Sequence, residues 1–189
     1  MNFFCIGFFI LAFQLNFSWA TGYIVKLVGA LFILGGVWEM TSYSQNYKKL
    51  YVPSVFGIVL SAVSIIVFAV MNVVKFTGDI RLILGLVMGI LVTVYMLLVQ
   101  YKILMLFQND NKLTFDLPAV ETLISGWKWF ALFTVCGLVF NIFNVIPNET
   151  VSNFAGVAMA ISRIIMYVLA LTVLWRFNKV RYGFYKINK

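Results

Sequence analysis

The stretch SNFAGVAMAISRIIMYVLALTVLWR, from Ser152 to Arg176, decides the fold class of this chain. It is long enough to cross a bilayer, which takes about 20 apolar residues, and it carries one arginine, Arg163, near its middle. A charged side chain at that depth costs from about 2.5 to well over 10 kcal/mol, depending on the scale used. Arg163 is therefore the first candidate for a functional residue.

The composition of the whole chain indicates a membrane protein. Of its 189 residues, 63% are hydrophobic and 11% are charged, against about 45–50% and about 25% in soluble domains. We therefore predict an all-α, polytopic membrane bundle that forms one transmembrane domain. Six transmembrane helices are expected at about 3–18, 23–38, 54–74, 82–106, 127–146 and 152–175. A five-span alternative stays open because the first segment is short.

The segment between the fourth and fifth spans is predicted to contain a short helix near residues 116–125 that lies in the membrane interface. Asp116 can cap this helix, and its apolar and polar side chains fall on opposite sides. Trp127 and Trp129 then mark the headgroup level at which the fifth span begins.

The basic residues predict an orientation and a class of contact. The net charge is +8, and most of the Lys and Arg fall on the side of the basic tail, 176–189. By the positive-inside rule, both termini are cytoplasmic in a multi-pass protein of the cell (inner) membrane. The charge then serves orientation and anionic lipid, and nucleic acid is not expected as a partner. The tail residues predicted to contact lipid or a partner protein are Arg176, Lys179 and Arg181.

Helical spacing places Arg163 on a face with small residues and an aromatic one. Gly156, Ala160, Tyr167 and Ala170 share this face, and small residues let neighbouring helices approach closely. We therefore predict that the face looks into the bundle. The residues predicted to serve helix packing are Gly85, Gly89, Gly156 and Ala160.

The polar residues within the spans suggest a ligand site. In the six-span orientation they collect in the outer half of the membrane, and no carboxylate lies inside any span. We therefore expect an outward-facing polar cavity for a small anionic solute. Its candidate ligand-binding residues are Arg163, Asn141, Asn144, Lys26, Gln14 and Tyr167.

Catalytic and metal chemistry find no support in the residues. The chain has no histidine, its two cysteines stand alone, and its carboxylates lie in loops or at span ends. Such a chain lacks the paired acids, activated nucleophiles and metal ligands of membrane enzymes. We expect no enzyme activity, no metal site and no cofactor.

One part of the chain resembles known proteins. Within residues 7–52, the runs GFFILAFQLNFSW, VKLVGALFILGGVWEM and SQNYKKL resemble the start of small multi-spanning proteins of unknown function from Gram-positive bacteria. The resemblance implies a bacterial inner membrane and no activity. By architecture alone, the chain is similar to the substrate-binding components of energy-coupling factor transporters, which are six-span proteins with cytoplasmic termini and an outer ligand cavity.

Two functions follow from these observations. The first is a ligand-binding or transport component for an anionic or polar small solute. The alternative is a non-enzymatic interaction protein, such as a subunit of a membrane complex or an immunity, defence or stress sensor, that acts through oligomerisation. The expected partners are the lipid bilayer, a protein partner or further copies of the chain, and a small anionic solute.

Overall fold

The computed structural model of the chain describes residues 1–12, 19–74, 78–110, 115–143, 146 and 148–187, without the side chains of residues 19–21 and 79. These residues form α1 (Asn2–Ala12), α2 (Trp19–Thr41), a 3₁₀-helix (Gln45–Leu50), α3 (Tyr51–Val73), α4 (Gly78–Asn109), α5 (Leu117–Phe143) and α6 (Glu149–Ile187). The described residues include no strand. The prediction of an all-α helical bundle is confirmed.

Five helices, α2 to α6, are long and apolar enough to cross a bilayer, so the chain is a multi-pass membrane protein. Helix α1 has 11 residues and is therefore about 16 Å long, roughly half of the ~30 Å hydrocarbon core. The predicted first span, 3–18, is met by a helix as far as Ala12. Residues 13–18 lie outside the described part of the chain.

Helix α5 corrects the prediction of a separate interfacial helix near 116–125, because residues 117–143 form one continuous helix. The expected cap is present: Asp116 Oδ1 accepts a hydrogen bond from the Ala119 backbone N–H at 3.4 Å. The expected division of sides also holds for most of this first segment. Its buried residues are Val120, Leu123 and Ile124, and its exposed ones include Glu121, Thr122 and Ser125.

Gly126, which falls between the predicted interfacial helix and the predicted fifth span, lies inside α5. The Arg176 side chain of α6 crosses α5 at this point, and its Nη1 donates to the Thr122 carbonyl at 2.5 Å. A Cβ on Gly126 would lie 2.8 Å from that nitrogen. The glycine therefore gives room to a neighbouring helix and does not form a turn.

Helices α1 and α2 pack closely because α2 carries glycines opposite large residues of α1. A Cβ on Gly29 would lie 2.6 Å from Leu11, and one on Gly36 would lie 2.6 Å from the Phe4 ring atom Cγ. Both distances are far inside van der Waals contact, so a side chain at either position would displace Leu11, Phe4 or the helix that carries them. Helix α1 therefore lies along the C-terminal half of α2.

Glu39, near the end of α2, fixes the start of α1. Its carboxylate forms an ion pair with the Met1 amino group and accepts hydrogen bonds from the Asn2 and Phe3 backbone N–H groups, each at 3.3 Å. The Tyr185 hydroxyl of α6 donates to the same carboxylate at 2.7 Å. Burial lowers the pKa of the Met1 amino group, and the carboxylate opposes that shift. We call this side of the bundle the Glu39 end.

An aromatic core closes the Glu39 end. Phe107 of α4 is 1% exposed, and its ring centroid lies 5.2 to 6.2 Å from four other rings. These are Phe4, Tyr47, Phe115 and Phe177. The aromatic core therefore joins α1, the 3₁₀-helix, α4, α6 and the segment before α5.

The predicted basic tail, 176–189, is helical as far as it is described, because α6 continues to Ile187. Phe177, Val180 and Phe184 are buried, at a spacing that puts them on one face of a helix. This segment is thus part of the bundle as well as a carrier of positive charge.

Candidate functional site

Lys26 is the predicted site residue that the structure buries inside the bundle. Its side chain is 7% exposed, and its Nζ donates to the Thr93 hydroxyl of α4 at 3.0 Å. The ammonium also lies 5.6 Å from the centre of the Tyr23 ring. The Tyr23 hydroxyl in turn donates to the Gly85 carbonyl at 3.0 Å. Lys26 and Tyr23 therefore link α2 to α4 within the membrane.

Arg163 lies elsewhere, and the prediction about its face is wrong. The structure leaves its side chain exposed on α6. The buried residues of this part of the helix are Ala155 and Ser162, each one position before a residue of the predicted face, and Ala170 of that face. There the Ser162 hydroxyl donates to the Phe133 carbonyl of α5 at 3.0 Å. The reason is that α6 presents small residues on both faces, so a short side chain by itself does not identify the packed one.

The predicted outward-facing cavity is consequently not assembled around these two cations. Helix α6 packs mainly against α5 and α1, whereas α2 packs against α1, α3 and the neighbouring α4. Lys26 is buried against α4, and Arg163 is on the outer surface of the chain. In the described part of the chain, no hydrogen bond or ion pair joins the Arg163 guanidinium to another residue.

The other candidate ligand residues are dispersed. Asn141 of α5 and Tyr167 of α6 are half-buried, and no residue from 135 to 143 of α5 is fully buried. Gln14 and Asn144 lie outside the described residues.

The small residues expected to pack helices behave differently from one another. Gly85 is buried, Gly89 and Gly156 are half-buried, and Ala160 is exposed. A Cβ on Gly89 would meet only ordinary van der Waals contact, at 3.8 Å from the Tyr23 hydroxyl.

Two of the three basic residues expected to contact lipid or a partner are engaged within the chain. Arg176 donates to Thr122, as described above, and Arg181 Nη1 donates to Asn2 Oδ1 at 3.3 Å. Lys179 is exposed, with its ammonium 3.7 Å from the centre of the Trp175 ring. That leaves Lys179 directed outward.

One of the two predicted interfacial tryptophans is also internal. Trp127 is 7% exposed, whereas Trp129 is 56% exposed. The Trp127 indole N–H donates to Gln100 Oε1 of α4 at 3.0 Å, and its ring stacks on Tyr101.

Sequence reasoning missed a cavity between α3 and α4, at the end of the bundle opposite Glu39. Its volume is about 270 Å³. Arg81, near the start of α4, lies at this cavity, and its Nη2 donates to Asn72 Oδ1 at 2.6 Å. The lining residues are Phe68, Met71, Gly78, Arg81, Leu82 and Gly85. We call this end of the bundle the Arg81 end.

Metal-binding side chains are not grouped in the part of the chain that the structure describes, where no cluster of three or more His, Cys, Asp or Glu residues occurs. No protein-family model, curated protein or solved structure matches the chain. The contacts described above are therefore the basis for a functional proposal.

Proposed function

We propose that this protein is a non-enzymatic membrane interaction protein, which binds the transmembrane helix of a different protein through the exposed face of α6 that carries Arg163. The observation that carries the proposal is the exposure of Arg163 near the middle of a spanning helix.

The energetic argument begins with depth. Arg163 is about 21 Å along the helix axis from Glu149 and about 20 Å from Arg176, at 1.5 Å per residue. The exposed side chains in this part of α6 are apolar: Val157, Ile161 and Ile164 are 62%, 54% and 65% exposed. An arginine in such surroundings is costly in lipid. A partner that neutralises it would recover much of that cost.

The chemistry of the partner follows from the carboxylates of this chain. Its Asp and Glu residues all lie near helix ends or in connecting segments, at positions 39, 79, 110, 116, 121 and 149. A second copy in the same orientation therefore offers no carboxylate at the depth of Arg163. We infer a different protein with an Asp or Glu inside its own span, because the guanidinium fork fits a carboxylate with two parallel hydrogen bonds.

The transport hypothesis has less support from the geometry. It placed Arg163 in an outward-facing cavity with Lys26 as a further candidate residue, whereas Arg163 is exposed and Lys26 is hydrogen-bonded to Thr93. Association through α6 needs no such cavity.

A designed helix can test the proposal without knowledge of the natural partner. The probe is a Leu/Ala helix of about 21 residues with one Glu at its centre, or Gln in the matched probe. The protein and the probe carry a fluorophore pair, and energy transfer between them is titrated in phosphatidylcholine vesicles. We expect the Glu probe to bind about tenfold more tightly than the Gln probe, a difference of about 1.4 kcal/mol.

Variants of the protein test whether Arg163 is responsible for the preference for the Glu probe. Arg163→Leu should abolish the preference for Glu, whereas Ile164→Leu, on the same outer surface, should keep it. Equal binding of both probes would show that Arg163 does not select a carboxylate in the membrane. A preference that survives Arg163→Leu would show that another group carries it, and either result would overturn the proposal. Subunit counting by single-molecule photobleaching adds a second test, because dimers of the chain that depend on Arg163 would contradict a different protein as partner.

A further inference from the structure

We propose that the cavity between α3 and α4 binds an anionic lipid of the bilayer, with part of an acyl chain in the cavity and the phosphate of the headgroup on Arg81. This site is distinct from the α6 face and does not depend on the function proposed for it.

The walls of the cavity suit hydrocarbon. Phe68 and Met71 line it from α3 and Leu82 from α4, and two glycines complete the lining. Its volume of about 270 Å³ is close to the lower end of the range for ligand pockets, roughly 300–1,000 Å³. It therefore fits a segment of an acyl chain better than an entire molecule.

The mouth of the cavity suits an anion. Arg81 is close to the start of α4 and its side chain is exposed. The hydrogen bond to Asn72 Oδ1 uses one of the five N–H donors of the guanidinium. The remaining donors are available to a phosphate, for which the planar fork of arginine is well suited.

The backbone N–H groups at the mouth of the cavity also favour an anion. Gly78 begins α4 and lines the cavity, and a Cβ placed on it would meet no atom within 4 Å. Open space therefore adjoins the N-terminus of a long helix, whose first N–H groups have no partner within the helix. Such a terminus favours anions.

Tyr23 adjoins two residues of the lining, Phe68 and Gly85. Its ring centroid lies 6.4 Å from that of Phe68, and its hydroxyl is held by the Gly85 carbonyl. Beyond this ring lies the Lys26 ammonium. The rings of Phe68 and Tyr23 therefore form an apolar aromatic pair at the cavity.

The depth of Arg81 and the cavity in the membrane is consistent with a lipid ligand and not with a soluble anion alone. Asn72 is next to the last residue of α3, and Arg81 is in the first turn of α4. The cation therefore lies at the membrane interface, where lipid phosphates are found, while the cavity extends toward the hydrocarbon. Both parts of an amphiphile are matched in one place.

The test uses the purified full chain in nanodiscs that contain phosphatidylcholine and a small fraction of phosphatidylglycerol. Lipids that remain bound after release into mild detergent are counted by native mass spectrometry. We expect phosphatidylglycerol to be enriched at least about tenfold over its bulk fraction. Arg81→Gln should remove this enrichment and Arg81→Lys should retain part of it. Lys49→Gln changes an exposed cation of the 3₁₀-helix at the Glu39 end and should have no effect.

A second variant tests the cavity separately. Leu82→Trp fills it with a larger side chain and should lower retention of both lipids, with helical content by circular dichroism unchanged. Enrichment that survives Arg81→Gln, or lipid retention that survives Leu82→Trp, would overturn the proposal. Competition by inorganic phosphate at the concentration of the lipid would show an anion site without an acyl-chain requirement, which would also overturn it.

Discussion

The contact between Gly36 and Phe4 offers a direct test of how α1 is held on α2. In Gly36→Ala, the new Cβ would lie 2.6 to 2.7 Å from the Phe4 ring atoms Cγ and Cε1, far inside van der Waals contact. Phe4 cannot turn away freely, because it is 0% exposed and its ring meets Tyr47 and Phe107 at centroid distances of 6.4 and 5.9 Å. The methyl group must therefore displace α1.

Two opposing effects determine how much each substitution changes the docking free energy of α1. Overpacking of a filled site costs about 1–3 kcal/mol, whereas replacing Gly by Ala within a helix gains about 1 kcal/mol. Gly35→Ala is the matched control because it has the same helical gain, and its Cβ would lie 3.3 Å from Phe3, which is 46% exposed and can move. The two variants should differ by about 2 kcal/mol in the docking free energy of α1, or about 30-fold in the undocked fraction.

Thiol labelling reads out this docking. Cys5 on α1 is 8% exposed, so its reaction with a maleimide in a Cys136→Ala background reports undocking of the helix. We expect labelling of the Gly36→Ala protein to be about 30-fold faster than that of the Gly35→Ala protein, by the same conversion. Equal labelling rates for the two variants would refute the packing argument.

Two further predictions concern hydrogen bonds between the spanning helices. Thr93→Val should lower the free energy of unfolding by about 1.5–3 kcal/mol, the range for hydrogen bonds to charged groups, because Lys26 then stays buried without this acceptor. Denaturation by sodium dodecyl sulfate should show this loss of stability for Thr93→Val but not for Thr93→Ser, which keeps the hydroxyl. An unchanged denaturation midpoint for Thr93→Val would contradict the prediction. Trp127→Phe should lower the free energy of unfolding by about 1 kcal/mol, because it removes the hydrogen bond to Gln100. Trp129→Phe, on the exposed surface, should change it by no more than about 0.5 kcal/mol in the same assay. Equal effects of the two substitutions would show that the buried indole N–H contributes nothing to stability.

The class of fold follows from composition, but the choice of the packed face does not. The spacing on α6 predicted a small-residue face with Gly156 and Ala160, and the helix packs instead through Ala155 and Ser162. In lipid, apolar side chains are stable both outside and inside, so hydropathy does not separate the two faces. Arg163 was assigned to the interior on the same basis, and its exposure became evident only from the structure.

The structures of Gly126 and of the basic tail differ from what the local sequence indicates, and the reason is the same for both. Gly126 falls between the predicted interfacial helix and the predicted fifth span, yet it lies within one continuous helix and makes room for Arg176. The tail after Trp175 looked like a surface segment because of its charges, although Phe177 and Phe184 fill the bundle. Both features depend on a helix distant in sequence. The cavity beside Arg81 depends in the same way on how α3 and α4 lie together, which no pattern along the chain predicts.

The contact between α1 and α6 also affects the order in which the bundle assembles during synthesis. The Met1 amino group and the Tyr185 hydroxyl that meets it are 184 residues apart in sequence, which takes roughly 10–40 s to synthesise at about 5–20 residues per second. Once α2 to α5 have been made, α1 still lacks its contact with α6, because Phe177, which packs against Phe8, has not yet emerged. A ribosome that stalls within α6 would therefore leave Phe8 without this partner at the membrane, and such chains would be early substrates for quality-control proteases.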